Sequence, residues 1–221
     1  METRSIILTF HGVGAPMREF EPSESNFWLS RDRFLSVLDS VAGREDVRIM
    51  FDDGNASDVD HALPALRERG IGATFFVVAS RIGKPAFLDA GAIRELTAAG
   101  MVIGCHGMRH RRWAGLDEPS LREELVDARA IIEEISGQPV VEAACPFGSY
   151  DRRTLMTLRD AGYHRVYTSD RGTARREDFL QARNTVEAGD GNDLLERIGA
   201  TDAAPFRAWA RRAKLAVKRW R

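Results

Sequence analysis

Asp58-Val-Asp-His-Ala-Leu-Pro-Ala-Leu-Arg-Glu-Arg-Gly-Ile-Gly-Ala-Thr-Phe-Phe-Val-Val78 holds one complete unit of a repeating architecture. Its first half predicts a helix over Asp58–Arg69, capped by Ser57 or Asp58. Its end, Ala73–Val78, is a β-branched and aromatic run that predicts a strand. Between them, Arg69-Gly70 ends the helix, and the glycine supplies the left-handed cap that turns the chain back. Ala99-Gly100 and Ala161-Gly162 repeat the device between a helix-period segment and an apolar run.

Outward from this unit the alternation continues. Strands are predicted at Ser5–Phe10, Val47–Phe51, Met101–Cys105, Val140–Cys145, Arg165–Ser169 and Leu180–Val186. Helices are predicted at Arg31–Ala42, Ala90–Ala99, Pro119–Ser136, Asp151–Asp160 and Asn192–Ile198, with Ser120 and Glu123 as a capping box for the third. Alternating elements imply an α/β fold with a mostly parallel sheet covered by helices. About seven strands suit a barrel or a doubly wound sheet, and periodicity does not separate the two. In either, functional residues gather at the C-terminal ends of strands.

Composition narrows the class. The chain has 221 residues, 43% hydrophobic and 29% charged, as expected of one globular domain with a short appendage. No run of eighteen apolar residues is present. The N-terminal apolar stretch is too short for a secretory signal and reads as a first strand, so the expected location is the cytoplasm. The two cysteines, Cys105 and Cys145, are too few for a disulfide scaffold and are expected as buried free thiols. Net charge is −1, yet Phe206–Arg221 carries seven basic residues and no acid, leaving the body acidic. An acidic body argues against a nucleic-acid partner. Within Phe206–Arg221 the large apolar residues fall at helical spacing, so 1–203 is expected as the main domain and 204–221 as a basic amphipathic helix. That helix suits either peripheral contact with anionic lipid or docking on the domain.

Three segments carry chemistry. Ile49-Met-Phe-Asp52-Asp53-Gly54 ends a strand in two carboxylates and a turn glycine; such pairs also serve as caps and turns. Gly104-Cys-His106-Gly-Met-Arg-His110 places two histidines four apart at another strand end. Two imidazoles and one carboxylate make a three-ligand metal set with an open position. A divalent ion there would acidify a water and polarise a carbonyl, leaving the second carboxylate as general base. Ala143-Ala-Cys-Pro146-Phe147-Gly148-Ser149-Tyr150-Asp151 reads either as an ordinary strand-to-helix loop or as a rigid loop whose N–H groups and aromatic ring line a pocket.

In this order, Phe51-Asp52-Asp53-Gly54, His106–His110 and Pro146–Asp151 resemble the first three motifs of the polysaccharide deacetylase family (NodB-homology, carbohydrate esterase 4). The likeness spans roughly Ile6 to Val186, and Ala73-Thr-Phe-Phe76 and Asp160-Ala-Gly-Tyr163 are similar too. The resemblance implies a distorted (β/α) barrel, usually of seven strands. It implies Asp52 as general base, Asp53, His106 and His110 as metal ligands, and Pro146, Phe147, Gly148 and Tyr150 around the substrate and oxyanion. It also implies a divalent cofactor; zinc suits the ligand set, and nickel, cobalt or manganese fit as well. The substrate would be an acetylated glycan, N-acetylhexosamine above all, in a polysaccharide or a lipid-linked precursor during exopolysaccharide assembly.

Three departures stand out. Gly107 occupies a position where the family usually carries a loop-bracing Ser or Thr. Ala144 stands where an arginine usually orients the base, which implies that this ion pair is missing. No histidine follows His164, so the late leucine-histidine motif that supplies the general acid is absent. His11, ending Leu8-Thr-Phe-His11, resembles a branch with an N-terminal strand-end histidine and is the candidate acid. Asp170, after Thr168-Ser169, is expected either to pair with it or to serve as a turn aspartate. Two further readings stay open: an amide hydrolase acting on a small non-sugar substrate, and a degenerate noncatalytic glycan-binding relative.

Overall fold

The structure, a computed structural model, describes residues 4–20, 24–203 and 218. The predicted helix at Phe206–Arg221 lies outside the described residues, Lys218 excepted.

The strands Arg4–Phe10, Val47–Phe51, Ala73–Val77, Val102–Cys105, Glu142–Ala144 and Arg165–Thr168 pair in parallel, each beside the next. Leu180–Ala182 then pairs with Arg165–Thr168, and Asn184–Thr185 pairs with Arg4–Phe10. One extended segment, Leu180–Thr185, therefore joins both edges of the sheet and closes it. The predicted strand Leu180–Val186 is this segment, which changes partner at Arg183. Thr173–Arg175 adds an antiparallel strand along Arg4–Phe10. The chain is thus a distorted (β/α) barrel.

The predicted helices appear at Arg31–Val41, Ala90–Ala98, Arg152–Asp160 and Leu194–Ala203. Gly70, Gly100 and Gly162 all adopt positive φ at their turns, as the repeated device requires. The caps differ in part from expectation. Asp117, not Ser120, caps the long helix, accepting from Ser120 N at 3.0 Å. Neither Ser57 nor Asp58 caps the second helix; the Ser57 hydroxyl accepts from Val13 N instead. Two π-helical turns, Asp58–Ala62 and Glu123–Asp127, interrupt the helices behind the site. Such turns shift the residue register and re-aim a side chain.

Alternation along the strands sorts the core. Leu8, Phe10, Ile49, Phe51 and Phe75 pack outward with the helices. Ile7, Met50, Phe76, Ala144, Tyr167 and Ala174 form a smaller cluster inside the ring. Asp52 continues the inward parity of Met50, so strand geometry delivers its carboxylate to the mouth of the barrel. Cys105 and Cys145 are buried and unbonded, and burial pushes the Cys105 thiol up to about 11.

Candidate active site

Asp52, His106, Phe147, Ser169 and His11 each lie just past the C-terminal end of a barrel strand and line one cleft of about 360 Å³. Asp53 and His110 line the same cleft. Single ligand atoms from Asp53, His106 and His110 lie within 4.8 Å of one another. His110 Nε2 is 3.1 Å and His106 Nε2 3.8 Å from Asp53 Oδ1. The backbone is strained to achieve this: Asp53 and His110 hold φ of 76° and 53°, values unusual for residues with a side chain.

The surroundings fix each ligand. His106 Nδ1 lies 2.8 Å from the Ala144 carbonyl, so that nitrogen carries the proton and Nε2 faces the cleft with a free lone pair. Burial holds the His106 pKa down to about 4 against the opposing charge of Asp52, keeping the ring neutral. Burial would raise the pKa of Asp53, but its neighbours His110, His11, His106 and Arg81 outweigh it and hold it below the usual carboxylate value. Arg81 reaches Asp53 Oδ1 at 3.2 Å. Two imidazoles and one carboxylate around a shared point are a donor set that fits a divalent ion such as zinc.

Asp52 has the ion pair that Ala144 was expected to remove. Arg183, 1% exposed, donates from both terminal nitrogens to the two carboxylate oxygens at 2.7 and 2.8 Å. Burial opposes ionisation of Asp52, but the charge and hydrogen bonds of Arg183 outweigh it and hold its pKa far below the usual carboxylate range. A late strand thus supplies the guanidinium that the third motif lacks. Its only sequence signal was position: Arg183 sits midway along a predicted barrel strand, where a charge needs a partner.

Glu124 was also missed, and it answers the Gly107 departure. Fully buried in a π-helical turn, it accepts from Met108 N at 2.9 Å, from Arg109 N at 3.2 Å and from Arg111 Nε at 2.9 Å. These bonds brace the loop between the two histidines. Gly107 has φ +84°, and a Cβ there would meet Glu124 Oε2 at 2.4 Å. Carboxylate and glycine together replace the hydroxyl.

His11 lies in the cleft with its ring stacked 5.3 Å from Phe27. Its carbonyl accepts from Asn55 Nδ2 at 2.8 Å, while its buried Nδ1 has no protein partner. Asp170 does not supply one. Its carboxylate accepts from Tyr150 OH at 3.0 Å and pairs with Lys218 at 2.9 Å, so the expected pairing with His11 gives way to an anchor for the third motif. Tyr150 is correspondingly buried, and of the expected substrate and oxyanion residues Phe147 lines the cleft whereas Pro146, Gly148 and Tyr150 lie behind it. Phe147 is half exposed, with left-handed φ of 57°, and its ring stands 4.7 Å from His110. Asp58 is fully buried beside this site with both oxygens unpartnered. Burial and the charges of Asp53 and Asp52 push its pKa well above the ordinary value.

Comparison with known proteins agrees with this geometry. Residues 40–166 match the polysaccharide deacetylase family, and the chain belongs to that family. It is 25% identical over 206 residues to YxkH of Bacillus subtilis (strain 168), covering 84% of this chain and 71% of that protein. It is 26% identical over 124 residues to a peptidoglycan-N-acetylglucosamine deacetylase of Bacillus cereus, covering 56% of each. The solved Streptococcus pyogenes deacetylase PplD, in complex with acetate, superposes with a TM-score of 0.75 at 19% identity, covering 90% of this chain and 100% of that one.

Proposed function

We propose that this chain is a metal-dependent deacetylase that hydrolyses the N-acetyl group of an N-acetylhexosamine in a glycan or its lipid-linked precursor. The observation that carries the reading is the convergence of Asp53, His106 and His110 beside a separately held carboxylate, Asp52. Family membership and the N-acetylglucosamine deacetylase named among the relatives support the substrate class.

Asp53, His106 and His110 would hold the ion, zinc being best suited to them. When bound, it would supply Lewis acidity toward the acetyl carbonyl and toward water. Asp52 would take the proton of the attacking water, its two oxygens oriented by Arg183. His11 would donate a proton to the departing amine. The Phe147 loop would shape the wall of the cleft and bring the Phe147 N–H toward the developing oxyanion.

Acetate release from a panel of N- and O-acetylated oligosaccharides, with Asp52→Asn as control, tests the substrate assignment. The expected result is release from N-acetylhexosamine oligomers, reduced by about 10³-fold or more in Asp52→Asn. Release from small acylated amides but from no glycan would favour the small-amide hydrolase. No release from any substrate would favour the noncatalytic glycan-binding reading, whose main support was the arginine missing at Ala144. A cytoplasmic, membrane-facing location through Phe206–Arg221 belongs to the same proposal, and co-sedimentation with anionic liposomes tests it. Among the described residues, no helix is long and apolar enough to cross a membrane.

A further inference from the structure

Lys218, the described residue of the basic C-terminal segment, touches the third-motif loop. Lys218 Nζ donates to the Gly148 carbonyl at 2.7 Å and to Asp170 Oδ1 at 2.9 Å, and it lies 4.5 Å from the centre of the Tyr150 ring. Asp170 Oδ2 accepts from Tyr150 OH. One ammonium therefore joins the carbonyl of the third-motif loop, the aromatic ring that ends that loop, and the aspartate at the neighbouring strand end.

That loop is held from outside at several points, Ala114 N donating to Ser149 Oγ at 3.4 Å and the Arg112 guanidinium lying 4.8 Å from the Phe147 ring centre. Phe147 and Gly148 are both left-handed, with φ of 57° and 60°, and the conformation is costly for phenylalanine. Gly148 is pressed against Ser169, whose backbone nitrogen lies 2.9 Å from where a Cβ would stand. Within the loop, Gly148 N and Ser149 N bond only locally, to Cys145 O and Pro146 O. Lys218 adds a charge-assisted bond to a carbonyl that the loop itself leaves pointing outward, and a cation–π contact with Tyr150. Its side chain is 31% exposed, so the contact is partly shielded from water.

We infer that Lys218 is a positioning residue: from the far end of the chain it holds the Pro146–Tyr150 loop so that Phe147 meets the substrate beside His110. The catalytic half of this inference rests on the deacetylase reading; the structural half does not.

The test combines amide hydrogen exchange with steady-state kinetics on full-length wild type, Lys218→Met and Lys218→Arg. In Lys218→Met, exchange at residues 147–150 should quicken by about tenfold while the barrel strands keep their protection. With an N-acetylhexosamine oligomer, kcat should fall by about tenfold at a KM within about twofold, because the loop acts mainly in the transition state. Metal content should not change, and Lys218→Arg should restore most of both losses. Unchanged loop exchange would overturn the inference whatever the substrate. Faster exchange spread across the barrel would also overturn it, by making the role a general structural one. Loop exchange that quickens with kcat intact would overturn the positioning role. An inactive wild type would sink the deacetylase reading, and the exchange data would still decide whether Lys218 holds the loop.

Discussion

Arg183 and Asp52, 131 positions apart in the chain, form a two-pronged ion pair in the wall of the barrel. The pair exists because Leu180–Thr185 closes the ring one strand away from Val47–Phe51, with Arg4–Phe10 between them. It compensates, from another strand, for the alanine at 144. Removing one partner leaves a buried charge alone. Arg183→Met should therefore cost about 3–5 kcal/mol of stability, read by denaturant unfolding. It should also lower kcat by about 10²-fold while metal content stays normal, since Arg183 orients Asp52 and bonds to none of the three metal-site residues. Arg183→Lys, which keeps the charge but not the fork, should fall between the two.

His11 should behave as an acid and not as a ligand. His11→Ala is expected to reduce turnover by about 10²-fold or more, with metal stoichiometry by atomic absorption near that of wild type. Loss of the metal in this variant would place His11 among the ligands and reject the assignment.

Asp58 gives the protein a pH signature. Its folded pKa is raised, so its protonated form is the one compatible with folding. In the unfolded chain it ionises near the ordinary aspartate value, about 4. Stability that depends on the neutral form is complete below that pH and erodes as pH rises toward the raised folded value. Asp58→Asn removes this penalty and should raise the melting temperature at pH 7. About 1 kcal/mol corresponds to roughly 2–4 °C at this size. The gain should vanish as pH approaches 4. A variant less stable than wild type at pH 7 would show that the carboxylate has a partner worth keeping.

Restoring the residue common in the family should do harm at one position. Gly107→Ser would add a Cβ 2.4 Å from a Glu124 oxygen, at a φ of +84°. The expected cost is about 1–3 kcal/mol, together with weaker metal binding, because Glu124 would release the loop between His106 and His110. Calorimetric zinc titration of this variant checks both effects.

Much of this arrangement was legible in the sequence, for physical reasons. Glycine-capped helices followed by apolar strands announced the (β/α) order. Asp53, His106 and His110 could be read because their spacing and strand-end placement are local. Arg183, Glu124 and Lys218 could not, since each acts across the chain. A ring closure brings in Arg183, a π-helical turn aims Glu124, and the position of Lys218 relative to Gly148 is purely tertiary. Asp170 was expected either to pair with His11 or to serve as a turn aspartate; its bonds to Tyr150 and Lys218 are tertiary and had no local signal.

The central claim is that Asp53, His106 and His110 hold a divalent ion without which no acetyl group is released. Acetate release by chelator-stripped protein, followed as zinc is added back, tests it most directly. Activity should be absent at the start, rise linearly to one equivalent, and fail to return in Asp53→Ala. Hydrolysis that persists after stripping, or that returns fully in Asp53→Ala, would contradict the account.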